Sequence, residues 1–171
     1  MRRVFGITGW KNSGKTTLTE KLVTELVARG WTVSTVKHAH HDFDIDKPGA
    51  DSFRHRQAGA TEVAIVSGRR WALMHELRGE NEPTLDDILA RLAPSDIVLV
   101  EGYKRQAHKK IEARRLEAKD RTPLSANDPN IVAIAADFTI EGETLPVFDL
   151  DDTKSIADFV ERSTGLVAQT K

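Results

Sequence analysis

The sequence predicts an α/β fold with a mostly parallel sheet and an added β-hairpin. A short apolar run, Val4–Thr8, is followed by a glycine-containing turn, then by a helical pattern with leucines four residues apart, then by the β-branched run Thr32–Lys37. A strand, a helix and a second strand in this order form a βαβ unit, whose two strands are parallel. The continuous apolar run Ile97–Val100 is typical of a central strand buried on both faces.

The remaining elements follow from periodicity and turn residues. The first helix begins near Thr16 and ends at Arg29 and Gly30, because glycine suits the left-handed position after a helix. Val63–Val66 and Trp71–His75 flank a Gly-Arg-Arg turn and predict the hairpin. Further helices are expected at Ser52–Gly59, Pro83–Leu92 and Asp152–Val167, and further strands at Lys109–Arg115 and Ile131–Ala135. Segments 38–51 and 119–130 are expected to be loops, the second of them mobile.

Length and composition narrow the class of protein. A chain of 171 residues is expected to form one domain, residues 1–171. The 25 basic and 26 acidic residues nearly cancel, so nothing in the net charge favours nucleic acid or an anionic membrane as a partner. The absence of cysteine excludes disulfides, thiolate metal sites and thiol catalysis. No run approaches the roughly 18 apolar residues of a membrane span. We therefore expect a cytoplasmic domain without nucleic-acid or membrane partners.

The strongest motif is the stretch GWKNSGKTT, residues 9–17, which lies between the first strand and the first helix. It fits the pattern G-x-x-x-x-G-K-[ST] of a P-loop and so predicts a P-loop NTPase three-layer sandwich. Backbone N–H groups of such a loop and of the following helix converge on phosphate oxygens. Lys15 can reach the β and γ phosphates, and the Thr16 hydroxyl can ligate Mg²⁺. The predicted nucleotide-binding residues of this motif are Gly9, Asn12, Ser13, Gly14, Lys15, Thr16 and Thr17.

A P-loop protein also needs an acidic group near the metal, at the end of a neighbouring buried strand. Glu101 directly follows Ile97–Val100, and ligands of open α/β sheets bind at this carboxyl end. We predict that Glu101 and Thr16 form the metal site and that Lys15 and Glu101 are catalytic. Glu101 would hold a Mg²⁺-bound water or orient the attacking water. The alternative is a strand-end carboxylate that only faces solvent.

A basic cluster follows Glu101 in the chain. It is either a solvated face or a set of cations that neutralises phosphate. Lys104 is closest to Glu101 in sequence, so we predict that it binds the nucleotide. A single nearby tyrosine, Tyr103, does not provide the interleaved aromatic residues that single-stranded nucleic acid requires. The cluster consists of Lys104, Arg105, His108, Lys109, Lys110, Arg114 and Arg115.

The sequence signals for base recognition and for transition-metal binding are weaker than the P-loop motif. The chain has no NKxD run of the GTPase type. Asp137, after the strand Ile131–Ala135, is placed to accept hydrogen bonds from guanine N1 and N2, or to act as a helix cap or turn residue. The segment after Lys37 holds three histidines and three aspartates, which suit a transition metal, a second substrate or an exposed extended edge. These are His38, His40, His41, Asp42, Asp44 and Asp46.

Several stretches together resemble the MobB family of adapter proteins in molybdopterin-guanine dinucleotide biosynthesis. They are GWKNSGKTT, VKHAHHDFDIDKPGADSFRHRQAGA, SGRRWALMHE, DIVLVEGYK, KKIEARR and IVAIAAD. The resemblance implies a homodimeric GTP-binding protein with weak GTPase activity, with GTP and Mg²⁺ as cofactors. It implies that Gly14, Lys15, Thr16 and Thr17 hold phosphates and Mg²⁺, and that Glu101 is the acidic group of the second nucleotide motif.

The resemblance also implies partners. These are the MobA guanylyltransferase, which joins GMP to molybdopterin, and molybdopterin itself. From charge placement we further hypothesise that the basic cluster, including Lys104 and Lys110, helps to present molybdopterin through its anionic phosphate. No obvious arginine finger or water-orienting glutamine lies beside the P-loop, and such groups contribute factors of ~10³ or more, so we expect slow hydrolysis. Two other readings remain open: a P-loop kinase of small metabolites, and a metallochaperone GTPase that uses His38, His40 and His41.

Overall fold

The structure is a computed structural model that describes residues 2–39 and 43–167. Its contacts divide the chain into two compact units: residues 1–38 together with 88–171, and residues 39–87. The expectation of one domain over residues 1–171 stays a prediction.

The described residues form twelve elements. The strands are β1 Val4–Thr8, β2 Val33–Lys37, β3 Glu62–Val66, β4 Trp71–His75, β5 Ile97–Glu101, β6 Lys110–Arg114, β7 Ile131–Ala136 and β8 Val147–Asp149. The helices are α1 Lys15–Ala28, α2 Asp51–Gln57, α3 Leu85–Arg91 and α4 Thr153–Thr164. The described residues contain no helix that is long and apolar enough to cross a membrane.

The larger unit is built on a six-stranded sheet in the order β2-β5-β1-β6-β7-β8. Every neighbouring pair in it is parallel. The predicted mostly parallel α/β fold is therefore confirmed. Strand β5 is buried along its whole length, as its uninterrupted apolar sequence indicates.

Helices α1 and α4 cover one face of this sheet. The leucines that recur every four residues in α1 form its buried stripe, because residues at that spacing share a helix face. The ring of Phe159 on α4 packs edge-on against Phe5 of β1, with centroids 6.4 Å apart. Full burial of a leucine or phenylalanine side chain contributes about 1.5–3 kcal/mol to the stability of the fold. The core of this layer includes Phe5, Ile7, Leu18, Leu22, Leu26, Leu99, Ile111, Ile156 and Val160.

The other face of the sheet is polar at its centre and is covered by irregular chain. Alternation along β6 places Lys110, Glu112 and Arg114 on the face opposite Ile111, and all three are buried. The ammonium of Lys110 donates to the carbonyls of Lys104 and Gln106 and to Asp128 at 2.6 Å. The segments 102–109 and 115–130 thus supply hydrogen-bond partners that keep these charges satisfied.

The predicted hairpin is confirmed in the smaller unit. Strands β3 and β4 pair antiparallel as a two-stranded sheet of their own, so they do not extend the six-stranded sheet as expected. The Arg56 guanidinium donates to Glu76, Asp44 and Asp46, which ties the segment before α2 to the residue that follows β4.

Two details differ from the sequence-based expectations. Strand β8 was missed, because three residues are too few to show a period of two. The polar segment 119–130, expected to be mobile, is anchored to β6: the amides of Leu124 and Ser125 both donate to Glu112. Polar residues in this segment accompany hydrogen bonds to the buried Glu112. Composition alone cannot distinguish such a segment from one exposed to solvent.

Candidate functional site

The candidate site lies where the carboxyl ends of β1, β2 and β5 meet. Glu101 is the register partner of Ile7 on one side and of Lys37 on the other. Because these strands are parallel, whatever follows β1 lies beside the side chains that end β2 and β5. The loop that follows β1 is the predicted P-loop.

The backbone of this loop requires glycine at two positions. Gly9 has φ +147°, and a Cβ there would lie 2.3 Å from Ser13 Oγ and 2.5 Å from the Ala113 carbonyl oxygen. Gly14 has φ +90°, and a Cβ there would lie 2.8 Å from Arg115 Nε. Asn12 also has a positive φ, 63°, which asparagine tolerates better than most residues. The turn that precedes α1 therefore requires both motif glycines, because a larger side chain at either position would be strained and would clash.

Lys15 begins α1 and turns back over the loop. Its ammonium donates to the Trp10 carbonyl at 2.6 Å. Burial lowers the pKa of Lys15, the Glu101 carboxylate opposes this shift, and the nearby charges of Lys104 and Lys37 add to it. Several cations therefore surround one half-buried ammonium, an arrangement that favours binding of an anion.

Thr16 and Glu101 meet as predicted. The Thr16 hydroxyl donates to Glu101 Oε1 at 2.9 Å, and the Lys37 ammonium lies 3.3 Å from the same oxygen. Glu101 is buried, whereas Thr16 and Lys37 are exposed. A hydroxyl and a carboxylate are both hard oxygen ligands of the kind that Mg²⁺ prefers. These two residues fit a magnesium site, with Lys37 at its rim.

Lys104 also lies at this site. Its ammonium sits 4.0 Å from the centroid of the Trp10 ring, within the range of a cation–π contact. The other end of the indole is fixed as well, because Trp10 Nε1 donates to the Thr122 carbonyl at 2.8 Å. The P-loop is thereby linked to segment 119–130 and to the chain that follows β5.

Sequence reasoning missed two residues of this site, Lys37 and Trp10. Lys37 could have been found as a charged residue that ends a strand beside the strand of Glu101. Trp10 occupies an unspecified position of the motif, so no sequence pattern pointed to it. Its contact with Lys104 depends on the path of the chain between β5 and β6.

The other loop residues take different roles. Ser13 is buried: its amide donates to the Trp10 carbonyl at 3.2 Å, and its hydroxyl has no hydrogen-bond partner among the described residues. Thr17 is exposed in the first turn of α1. Nucleotide contacts of Asn12, Ser13 and Thr17 stay predictions.

Asp137 lies at the carboxyl end of β7, exposed at the same edge of the sheet. Its Oδ1 accepts a hydrogen bond from the Leu116 amide at 2.8 Å, which is the turn role that the sequence left open. Recognition of a base by this carboxylate stays a prediction.

The residues of the basic cluster lie in different environments in the structure. Lys104 lies at the site, but Lys110 is fully buried beneath segment 102–109 and pairs with Asp128. Lys110 was expected to contact molybdopterin; its burial removes it from any ligand surface. Arg114 is also buried and pairs with Glu112 at 2.8 Å.

The histidine segment stays largely untested. His40, His41 and Asp42 lie outside the described residues. Within the described ranges, no group of three histidine, aspartate or glutamate side chains could hold a metal ion.

Comparisons with known proteins agree on one family. A family model described as "Molybdopterin guanine dinucleotide synthesis protein B", MobB, matches residues 4–137. A "Molybdopterin-guanine dinucleotide biosynthesis adapter protein" of Escherichia coli (strain K12) is 38% identical over 92% of this chain and 90% of its own. One of the same name from Haemophilus influenzae is 40% identical over 92% and 87%. The crystal structure of a MobB homolog from Bacillus stearothermophilus aligns with TM-score 0.73 and 32% identity, covering 96% of this chain and 99% of that one.

Proposed function

The chain belongs to the MobB family, and we propose that it is a GTP-binding adapter with weak GTPase activity in molybdopterin-guanine dinucleotide biosynthesis. The adapter role in that biosynthesis follows from the family and from the name of its relatives. The finer parts of the proposal are GTP and Mg²⁺ as cofactors, the MobA guanylyltransferase and molybdopterin as partners, a homodimeric state and a cytoplasmic location.

One observation carries the nucleotide part of the proposal. The Thr16 hydroxyl and the buried Glu101 carboxylate meet at 2.9 Å beside the P-loop. Glycine turns, a helix start, an ammonium and a buried acid at one sheet edge are the parts that bind the phosphates of a nucleoside triphosphate.

Each residue has a distinct task in this proposal. The amides at the start of α1 and the Lys15 ammonium bind the β and γ phosphates. Thr16 and Glu101 would hold Mg²⁺, which, when bound, neutralises charge on the phosphate oxygens. The exposed Lys37 and the half-buried Lys104 add positive charge around the terminal phosphate.

The environment of the arginines supports slow hydrolysis. Arg114 is buried and pairs with Glu112 and Glu143, so its guanidinium is committed to the interior. Arg115 pairs with Glu117 at 3.2 Å. Among the described residues, Arg114 and Arg115 are thus engaged with acidic partners, whereas an arginine that reaches the transferring phosphoryl group contributes ~10³-fold or more in other P-loop proteins.

The proposal is tested by titration calorimetry with GTP and ATP in the presence of Mg²⁺. Lys15→Ala should weaken GTP binding by a few kcal/mol, because a buried phosphate would lose its charge partner. The matched control is Lys154→Ala, an exposed lysine on α4, which should bind GTP as the parent does. Equal binding by the Lys15 variant and the parent would refute the phosphate site.

The partner arm repeats the titration with the MobA guanylyltransferase and molybdopterin present. We expect binding of at least one of them to depend on GTP. Sedimentation equilibrium tests the homodimer. Fast turnover with a small hydroxylated acceptor would instead favour the kinase reading, and a GTP affinity indifferent to both partners would refute the adapter mechanism.

A further inference from the structure

A cavity of about 370 Å³ lies in the larger unit, at the edge of the sheet opposite the P-loop. It forms where the start of β1 and the residue before β6 meet the end of α4. The P-loop follows the other end of β1, so the five residues of this strand separate the two places by about 17 Å. The cavity is therefore distinct from the proposed nucleotide site. Its lining includes Arg2, Arg3, Lys109, Ser163, Thr164 and Gly165.

Two of the lining cations contact the end of α4. Arg3 Nε donates to the Gly165 carbonyl at 3.3 Å, and the Lys109 ammonium donates to the Ser163 carbonyl at 2.9 Å. A guanidinium and an ammonium each carry several N–H groups, so one bond leaves most of their donors for another acceptor. Both side chains are exposed, and these donors can therefore reach a ligand in the cavity.

The sheet fixes the backbone from which these two side chains extend. The Arg3 carbonyl accepts from the Val98 amide of β5, and the Lys109 carbonyl accepts from the Gly6 amide of β1, both at 2.8 Å. Strands β5, β1 and β6 are neighbours in the centre of the sheet. The two cations therefore start from a rigid support, which favours a defined binding geometry.

Arg2 adds a third positive charge to the cavity wall. Its guanidinium donates to the Leu92 carbonyl, and its Nη1 is buried without a hydrogen-bond partner among the described residues. A charged donor left unpaired in the interior is costly, and an anion in the adjoining cavity would offset that cost. The carboxylate of Asp96 accepts from the amide and the hydroxyl of Thr32. Its charge is thus already engaged.

Capping of α4 explains only part of this arrangement. Cations beside the last carbonyls of a helix stabilise its C-terminus, which accounts for the single bonds of Arg3 and Lys109. It does not account for Arg2, whose bond goes to the Leu92 carbonyl. It also does not account for the open space at Gly165, where a Cβ would meet no atom within 4 Å beyond its chain neighbours.

We propose that this cavity binds the phosphate group of a small phosphate ester. A phosphate monoester carries a charge of about −1.5 to −2 near pH 7 and three strong acceptor oxygens, which suit three cations that approach from two strands. A carboxylate offers one charge and two oxygens. The volume is within the range of about 300–1,000 Å³ for small-molecule pockets, so it also accommodates an organic group on the phosphate. This site goes beyond the proposed nucleotide-binding function, because it takes a second ligand at the other end of β1.

Amide NMR shifts separate this site from the P-loop. The full-length protein, labelled with ¹⁵N, is titrated with phenyl phosphate into the millimolar range. The amides of Thr164 and Gly165 report on the cavity, and the amide of Gly14 reports on the P-loop. We expect saturable shifts at Thr164 and Gly165 that persist in Lys15→Ala, a variant that removes the P-loop ammonium.

Variants of the two exposed cations test the proposed contacts. Arg3→Gln and Lys109→Gln should each weaken binding at the cavity about three- to tenfold, because each removes a charge and its donors. Lys109→Arg keeps the charge and should bind within about twofold of the parent. The matched control is Arg162→Gln, which removes an exposed cation from the last turn of α4 outside the cavity lining and should leave binding unchanged.

Three results would overturn the proposal. They are no saturable shift at Thr164 and Gly165 in the parent, equal affinity of the parent and both glutamine variants, and binding of benzoate as tight as that of phenyl phosphate. Urea unfolding shows whether each variant is folded, and Lys109→Arg tests the site without loss of charge. Shifts at Thr164 and Gly165 with none at Gly14 would count against the proposed nucleotide site and support the cavity site.

Discussion

Two buried glutamates flank β1, and their surroundings differ. Glu101 ends β5 and is the register partner of Ile7, whereas Glu112 lies on β6 and is the partner of Thr8. Their exposures are 8% and 1%. Glu101 lies on the sheet face covered by α1, and Glu112 on the face covered by irregular chain.

The partners of the two carboxylates show what each one does. Glu112 accepts from the amides of Leu124 and Ser125 and from Arg114, using both oxygens. Among the described residues, the two contacts of Glu101 both fall on Oε1 and come from exposed side chains, Thr16 and Lys37. A buried carboxylate filled by backbone amides anchors a loop, whereas one with an oxygen to spare can bind a ligand.

The largest expected effect concerns stability at Glu112. Glu112→Ala would leave two partly buried amides without their acceptor and would leave the buried Arg114 without its nearest carboxylate, with only Glu143 and Ser125 as partners. Breaking a buried pair in this way costs about 3–5 kcal/mol. Urea unfolding of the variant should show a loss of this size.

The matched control for this change is Glu20→Ala, an exposed glutamate on α1, for which we expect a change within ~0.5 kcal/mol. A loss below ~1 kcal/mol for Glu112→Ala would mean that the two glutamates do not differ as described.

The second effect concerns binding at Glu101. Glu101→Gln keeps the shape and one carbonyl oxygen but removes the charge that would hold Mg²⁺. We expect GTP affinity in Mg²⁺ to fall about 10- to 100-fold, or ~1.4–2.7 kcal/mol, with stability changed by less than ~1 kcal/mol. Calorimetry with and without Mg²⁺ measures the first quantity and urea unfolding the second. A large loss of stability in Glu101→Gln with unchanged Mg²⁺-dependent GTP binding would contradict the ligand-binding role of Glu101.

The sequence singled out Glu101 but not Glu112. The P-loop and Glu101 were predicted because their chemistry is written in short, local patterns at a strand end. Glu112 was not singled out, since its partners Leu124 and Ser125 lie in a segment whose polarity suggested mobility. Lys110 was predicted to lie at a ligand-binding surface because it belongs to a basic cluster. Its sequence position does not reveal that backbone carbonyls in the interior accept hydrogen bonds from its ammonium.

The third effect is a pH dependence on the Glu112 side of the sheet. His108 lies against Gly6, and burial, with the nearby charge of Lys110, lowers the pKa of His108 to about 4, while Asp128 opposes the shift. The ordinary value in an unfolded chain is 6.5. Because the unfolded state binds the proton more readily, stability is complete above pH 6.5 and falls as pH drops toward 4.

The expected loss over this range is about 1–2 kcal/mol, after allowing for partial exposure of the ring to solvent. Urea unfolding between pH 7 and 4 should show it, and His108→Gln should reduce it. The exposed His55, changed to Gln, serves as control. Parallel pH profiles for the parent and His108→Gln would contradict the burial of a neutral imidazole. Although burial works against it, the bond from Lys110 lowers the pKa of Asp128, so its contribution is lost only in more acidic solution, below about pH 4.

The smallest effect concerns Lys104, on the Glu101 side. Its cation–π contact with Trp10 is partly exposed and contributes about 0.5–1 kcal/mol. We expect Lys104→Ala to weaken GTP binding two- to fivefold, because a cation near Lys15 is lost. Lys104→Arg, which keeps the charge and can stack on the indole, should lose less.

Salt distinguishes this contribution from packing alone. An exposed charge is screened over ~10 Å at 0.1 M salt and ~3 Å at 1 M, so the difference between the parent and Lys104→Ala should narrow as salt rises. The exposed Lys119, changed to Ala, gives the background for a lysine remote from the P-loop in sequence. If the Lys104 effect were independent of salt, Lys104 would act by positioning Trp10, and the positive rim around Glu101 would reduce to Lys37 and Lys15.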